Sequence, residues 1–406
     1  MTPDEVRAAG RLGGHAFTGV VARIEQVHQA IAGRAFGPVR QVGAPARLIH
    51  DAVSRSVYLA VRCAGSAAGA MSGEIAAVLG ERGQPAGAVP AGNMALAALN
   101  AVAGDRLGRD TAPLAISMAV RADGRDIGLT AADLAAAFPG AAPRLALFVH
   151  GLGETEKSWE RHGDQAESYG SRLHSEFGYS PVYVRYSSGR HVSENGQDLA
   201  ILLDRLTAAW PVPAAEILLV GHSMGGLVIR SACHYGNDMS LAWTRQVRHV
   251  FYLGSPHLGA PLARAFGLAG WALSLVPETK PFATMINGSS AGVKDLRHGY
   301  LLPDDWAGCD QDTCLRSHRH DAPLLAGASH YAISATITAD PGSPVGVLVG
   351  DLLVTPASAH GRRGRVQHIA FRVESGRRLG GMNHFDLLGH PAVWAAMAGL
   401  VRQAAD

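Results

Sequence analysis

The sequence predicts an α/β architecture with a mostly parallel central sheet, an N-terminal helical region and one long insertion. Three features lead there. From Leu114 onward, short apolar runs alternate with helix-period patterns, the signature of a parallel sheet covered by helices on both faces. The segment Gly221-His222-Ser223-Met224-Gly225 sits between an apolar run and a helical pattern. The first hundred or so residues show helical periodicity only, which sets residues 1–108 apart from 109–406.

Taken in order, Val20, Val21, Ile24, Val27 and Ile31 repeat at helical spacing, as do Leu48, Ile49, Ala52, Val53, Val57 and Ala60. Both sets predict amphipathic helices, separated by a break at Gly37-Pro38 and Gly43-Ala44-Pro45. Further helices are expected over Ser72 to Leu79 and from Met94, with a loop from Gly83 to Gly92 between them. Gly65 to Gly73 is glycine-rich but lacks the following Lys-Ser/Thr of a phosphate loop. No catalytic constellation occurs in this region, so it reads as a structural cap or docking module.

Leu114–Val120 and Ile127–Leu129 flank Asp123-Gly124, a hairpin signal, and Thr130 is placed to cap a helix over Ala131–Phe138. Strands follow at Leu145–Val149, Val182–Tyr186, Ile217–Val220, His249–Leu253, Tyr331–Ile337 and Gln367–Val373, with helices at Ala166–Phe177, Asp198–Ala209, Gly225–Tyr235 and Ala392–Val401. Residues 260–329 interrupt this rhythm with Trp271, Leu273, Leu275, Phe282, Met285 and Trp306 among glycines and prolines. An interval that long inside an α/β domain reads as a lid, or as a packed surface subdomain.

Composition removes several function classes. Hydrophobic residues make up 47% and charged ones 17%, enough for a large core and too apolar for disorder. A net charge of +2 with scattered basic residues leaves no electrostatic footprint for nucleic acid. The acidic start, Met1-Thr2-Pro3-Asp4-Glu5, lacks a basic n-region, and no run of about 18 apolar residues is present. The expectation is a cytoplasmic protein without a membrane span, with peripheral membrane contact and oligomeric state left open. Cys63 and Cys233 fall on predicted helices and read as buried thiols. Cys309, Cys314, His318 and His320 cluster, but their spacing is a weak zinc signature; a local Cys309–Cys314 disulfide and free thiols are the other readings. No metal or other cofactor is implied. Gly361-Arg362-Arg363-Gly364-Arg365 reads as a solvated basic turn.

The motifs point to nucleophilic chemistry. A strand, a sharp Gly-x-Ser-x-Gly turn and a helix lift a serine hydroxyl above the sheet and aim a helix N-terminus at a developing oxyanion. Ser223 is therefore the expected nucleophile. The amide of Met224 is one expected oxyanion donor, and Leu152, in His150-Gly151-Leu152-Gly153 after an earlier strand, is the other; His150 is expected to orient that loop.

These two segments, with Gly254-Ser255-Pro256-His257-Leu258-Gly259-Ala260-Pro261 and a later Asp and His, resemble the lipase branch of the α/β-hydrolases. The likeness lies near the bacterial lipases and the GPI inositol-deacylase-like group and covers roughly the last two thirds of the chain. It implies an α/β-hydrolase fold, no cofactor, a small-molecule or lipid ester as partner, and the order nucleophile, acid, histidine. By that order His384, in Gly380-Gly381-Met382-Asn383-His384, is the expected base, ahead of His390, His360 and His368; His257 matches a structural histidine. Asp351, in Gly350-Asp351-Leu352-Leu353-Val354, is the expected acid, with Leu352 standing where the family usually has glycine; Asp340 is the competitor, and Asp386 is read as a cap of the last helix. The implied activity is hydrolysis of a carboxylic ester through an acyl-enzyme. Acyl transfer on the same fold and a non-catalytic docking role are the alternatives, and the acyl length is not fixed.

Overall fold

The computed structural model describes residues 1–36, scattered helical positions between 47 and 73, residue 85, and residues 90–107, 109–160, 167–260, 290–308, 319–363, 366–372 and 375–405. The described residues fall into two compact units. One lies within Met1–Gly92 and Arg106–Ala115, the other within Asn93–Asp105, Ile116–Arg264 and Ser290–Asp406.

In the first unit, helix α1 (Pro3–Phe36) runs antiparallel to helical positions between 47 and 73. Glycine sets their separation. A Cβ on Gly10 would lie 2.6 Å from the Gly69 carbonyl oxygen and 2.6 Å from the Gly73 Cα, and one on Gly69 would lie 2.7 Å from the Gly14 Cα. The glycine-rich stretch that is no phosphate loop thus serves a backbone-to-backbone crossing. Further along, Arg62 pairs with Glu25 at 2.6 Å and Gln29 donates to Ser54 at 3.0 Å. The expected apolar face is turned: Val21 is buried, whereas Val20 and Ile24 are exposed. Cys63, expected to be buried, is also exposed, while Cys233 is buried. The expected helix over Ser72 to Leu79 lies almost wholly outside the described residues.

The second unit is built on an eight-stranded sheet. Its strands are β1 (Ala119–Ala122), β2 (Arg125–Ile127), β3 (Arg144–Val149), β4 (Tyr179–Arg185), β5 (Glu216–His222), β6 (Val247–Leu253), β7 (Ser329–Thr336) and β10 (Gly376–Gly380). The short pair β8 (Arg362–Arg363) and β9 (Val366–Gln367) stands apart. The sheet order is β10-β7-β6-β5-β3-β4-β1-β2. All neighbours from β4 to β10 are parallel, and β1 joins β4 antiparallel through the hairpin with β2. The helices are α2 (Pro90–Ala103), α3 (Ala131–Ala137), α4 (Tyr169–Phe177), α5 (Val192–Ala209), α6 (Met224–Asp238), α7 (Ala291–His298), α8 (Pro303–Trp306), α9 (Pro344–Val349), α10 (Pro356–Ala359) and α11 (Pro391–Ala405).

Alternation along the strands supplies the layers. Leu145, Leu147 and Val149 of β3 enter one core, with Val192, Leu199 and Leu227 of α5 and α6. Ala146 and Phe148 enter the other, with Leu173 of α4 and Trp394 and Met397 of α11. Successive side chains point to opposite faces, so a run apolar at nearly every position becomes a strand buried on both sides.

Two expectations need correction here. The last sheet strand is Gly376–Gly380, not Gln367–Val373. Ile369 and Phe371 are buried against the core from irregular backbone, which is why their alternation looked like a strand. The true edge strand carries Arg377 and Arg378 between glycines, a charged composition suited to an exposed edge and silent in an apolar-period reading. From Asn93, α2 belongs with the sheet: Asn93 bridges Glu156 (3.0 Å) and Arg185 (3.1 Å), and Asn100 accepts from the Ile116 amide (2.9 Å).

The described parts of residues 260–329 are packed. Asp295 of α7 accepts from the Val192 amide (2.8 Å), Ser231 donates to the Leu301 carbonyl (2.8 Å), and Trp306 stacks on His191 at 3.8 Å. The expected lid, including Trp271, Leu273, Leu275, Phe282 and Met285, and the cluster Cys309, Cys314 and His318, lie outside the described residues; His320 bonds to Asp305 at 3.1 Å. Among the described residues, no helix is long and apolar enough to cross a membrane.

Helix α6 approaches the end of β3 closely. A Cβ on Gly225 would run into the Val149 carbonyl oxygen and lie 2.5 Å from that of His150. Both obstacles are backbone, so Gly225→Ala is expected to lower unfolding stability by about 3 kcal/mol, read as a drop in the urea midpoint at unchanged slope.

Candidate active site

Because β3, β4, β5, β6, β7 and β10 run parallel, the loops after β3, β5, β6 and β10 leave the same edge of the sheet. The strand order reverses at β3, between β4 and β5, where open α/β sheets form a crevice. Ser223 stands on the turn from β5 into α6 with φ 51 and ψ −120, a left-handed conformation that costs a non-glycine residue roughly 1–3 kcal/mol. A Cβ on Gly221 would strike the backbone of Gly225 and Gly226, so this turn needs glycine there too. The Ser223 amide donates to the Leu253 carbonyl at 2.8 Å, fixing the turn to the end of β6.

Asp351 and His384 come together from the loops after β7 and β10. His384 Nδ1 lies 2.7 Å from Asp351 Oδ2, and the two residues are 3% and 1% exposed. The other carboxylate oxygen accepts from the amides of Leu353 (3.0 Å) and Val354 (2.8 Å), and the His384 amide donates to the Asp351 carbonyl (3.0 Å). A carboxylate only accepts, so Nδ1 carries the proton and Nε2 holds a lone pair in the neutral ring. That Nε2 is buried and has no hydrogen-bond partner among the described residues. The ring abuts Gly254, where a Cβ would lie 3.1 Å from His384 Cε1.

The competing residues are engaged elsewhere. Asp340 is exposed and its carboxylate accepts from the Gly342 amide (2.8 Å). His390 caps α11 by accepting from the Ala392 amide (3.1 Å), and His360 bonds to Ser334 (2.9 Å), with burial first and then Arg378 and Arg362 holding its pKa down at about 4. His368 is exposed. His257 is buried edge-on against Tyr252, and burial, then Arg230, push its pKa far down. Asp386 does not cap α11; it closes a capping box with Asn383 around His384–Leu388, its carboxylate accepting from the Asn383 amide at 2.8 Å.

The loop after β3 completes the constellation. His150 is fully buried; its Nε2 accepts from the Tyr186 amide (3.3 Å), leaving Nδ1 to donate to the Gly151 carbonyl (2.9 Å). Burial lowers its pKa, so the ring is a neutral anchor for the loop. Gly151 lies against Ser223: a Cβ there would be 3.1 Å from the Ser223 Cβ. The Leu152 and Met224 amides donate to no protein acceptor among the described residues, and Met224 opens α6, where first-turn amides have no intrahelical partner.

One pair escaped the sequence reading. His222 Nδ1 lies 3.0 Å from both carboxylate oxygens of Glu154, which also accepts from the Gly151 amide (2.7 Å). Burial alone would raise the Glu154 pKa, but the charge and hydrogen bond of His222, with the Gly151 amide, outweigh it and hold it at about 2. The signal was present, since Glu154 directly follows the glycine loop and His222 lies inside the serine motif. Nothing in the chain order says that they touch.

Residues 189–320 match the family model described as a PGAP1-like alpha/beta domain. The fold is that of the α/β-hydrolases. Solved structures similar to this chain include the mature form of Bacillus licheniformis lipase BlEst2, at 19% identity and TM-score 0.42, over 63% of this chain and 91% of that one. A Pyrobaculum calidifontis esterase matches at 15% identity and TM-score 0.36, over 65% and 75%. A membrane phospholipase A, described as a bacterial virulence factor, matches at 12% identity and TM-score 0.36, over 66% and 82%. No curated protein matches the chain.

The depressed Glu154 pKa has a stability consequence. A carboxyl held below its unfolded value stabilises the fold above that value and loses the contribution as pH falls through the folded pKa. Stability of the wild-type chain is therefore expected to decline between pH 4.5 and about 2 more steeply than that of Glu154→Gln, measured as urea midpoints across that range.

Proposed function

We propose that the chain is a serine esterase that cleaves carboxylic esters through an acyl-enzyme, with Ser223 as nucleophile, His384 as base and Asp351 as its orienting acid. The observation that carries this reading is the buried Asp351–His384 pair, whose Nε2 has no partner among the described residues, at the sheet edge where Ser223 is held in a strained turn. His384 Nε2 takes the hydroxyl proton as the Ser223 oxygen attacks the ester carbonyl. Asp351 keeps the ring in the required tautomer and stabilises the imidazolium that forms.

The tetrahedral oxyanion is received by the amides of Met224 and Leu152, the first reinforced by the N-terminal dipole of α6. Collapse expels the alcohol, which takes the proton from His384. Water, deprotonated by the same nitrogen, then attacks the acyl-enzyme and frees the acid. Asn93–Asp105, Ile116–Arg264 and Ser290–Asp406 form the catalytic domain in this reading, and the N-terminal helices are an accessory region.

An apolar substrate is favoured by the surface beside the acid and base. Leu348 is 77%, Leu352 56% and Phe385 47% exposed, and Val345 and Val347 are exposed with them. Leu352 follows Asp351 and Phe385 follows His384, so these side chains rim the loops that carry the proposed acid and base. Leu352 also holds φ 84, costing about 1–3 kcal/mol for a side chain that packs against little. A strained, exposed leucine at such a place fits contact with an acyl chain or lipid.

A fluorophosphonate probe is expected to label the wild-type chain on Ser223 and to leave Ser223→Ala unlabelled; an unlabelled wild type, judged by peptide mass mapping, sinks the esterase reading. For substrate class, Leu352→Asp is expected to lower kcat/KM about tenfold for p-nitrophenyl octanoate and hardly at all for the acetate, as loss of several buried CH₂ contacts requires. Equal losses on both esters would remove the apolar rim from the account.

A further inference from the structure

The Glu154–His222 pair touches each of the three loops that the proposed chemistry uses. Glu154 leaves the loop after β3 and accepts from the Gly151 amide, next to the Leu152 donor. His222 immediately precedes Ser223. Its Nε2 lies 3.1 Å from the main-chain carbonyl of His384, and its ring centroid is 4.7 Å from that of His384.

The proton inventory is decisive. One ring nitrogen faces a carboxylate and the other a carbonyl oxygen, and neither acceptor carries a hydrogen. Both nitrogens must therefore donate, which makes His222 an imidazolium and the pair an ion pair. His222 is fully buried. A charge in that position persists only when it is paired and fully hydrogen-bonded, and both conditions are met.

We propose that Glu154 and His222 form a buried carboxylate–imidazolium strut that positions the His384 loop and the Gly151–Leu152 loop about Ser223. Neither side chain is assigned a bond to the reacting atoms, so both are positioning residues, and the proposal rests on the esterase reading above. The strut acts on the geometry of the loops. It holds the His384 carbonyl and the Gly151 amide at fixed distances from the nucleophile turn. The charged and titratable groups facing His222 are Glu154 and His150 from the loop after β3 and Asp351 and His384 from the loops after β7 and β10. His150 is neutral, and Asp351 is already committed to His384. Removing the imidazolium leaves the Glu154 charge uncompensated and takes the donor away from the His384 carbonyl.

The test combines spectroscopy of the wild-type chain with kinetics of His222→Gln. With nitrogen-labelled histidine at pH 7, the wild type is expected to show an imidazole protonated on both nitrogens that is absent from H222Q. A neutral His222 in the wild type overturns the proposal whether or not the variant folds. On p-nitrophenyl butyrate, H222Q is expected to lose about tenfold to hundredfold in kcat with KM within about twofold. A folded H222Q with wild-type kcat overturns the positioning role. Fluorophosphonate labelling of the wild type separates the two readings: absence of label overturns the esterase reading and the catalytic half of this proposal with it, while the imidazolium signal decides the existence of the strut.

Discussion

The close approach of helix α6 to the carboxyl end of β3 is the constraint on which the site depends. Gly225 stands against the Val149 and His150 carbonyls, and Gly221 against Gly225 and Gly226. With no Cβ at either position, the serine turn fits against the neighbouring strand, and the first amides of α6 open beside the glycine loop. Any side chain there would push the helix off β3 and separate the Met224 amide from the Leu152 amide. Parallel strands then bring the remaining loops to the same edge, so Asp351 and His384 reach it from chain positions more than a hundred residues beyond Ser223 without a special connection.

Polar groups in this region are placed under the rules of a dry interior. Asp351 accepts two backbone amides besides the His384 ring, and Glu154 accepts the Gly151 amide besides the His222 ring. Buried carboxylates are tolerable when they are hydrogen-bonded throughout. Against that background His384 Nε2 has no hydrogen-bond partner among the described residues, which leaves it a basic lone pair beside satisfied carboxylates. The Glu154–His222 pair next to it shares backbone with the Ser223 turn, so it is coupled to the geometry of the loops.

Strain and exposure mark the other side of the site. Ser223 and Leu352 both hold positive φ without being glycine. The serine conformation is imposed by a turn between two buried elements. Leu352 has no such enforcement from its own packing, yet it stands one residue from Asp351 and presents its side chain outward. At this position the resemblance leads one to expect glycine, the residue for which this backbone is free of cost, and the chain keeps an exposed leucine instead.

The sequence by itself determined the alternation of apolar runs that became β3 to β7, the hairpin at Asp123-Gly124, the Thr130 cap and the strand-turn-helix context of Ser223. All of these are local, since periodicity, turn chemistry and caps act over a few residues. It also ordered the acid and base candidates, through a resemblance and not through physics. Only the tertiary structure decided which carboxylate meets His384, that α2 joins the sheet, that Gly69 packs on Gly10, and that Glu154 grips His222. The edge strand Gly376–Gly380 belongs to the same class: its glycines and arginines carry no strand pattern, and the backbone bonds of β7 recruit it. Such pairings join residues tens to hundreds of positions apart, where the spacing along the chain holds no information about distance in space.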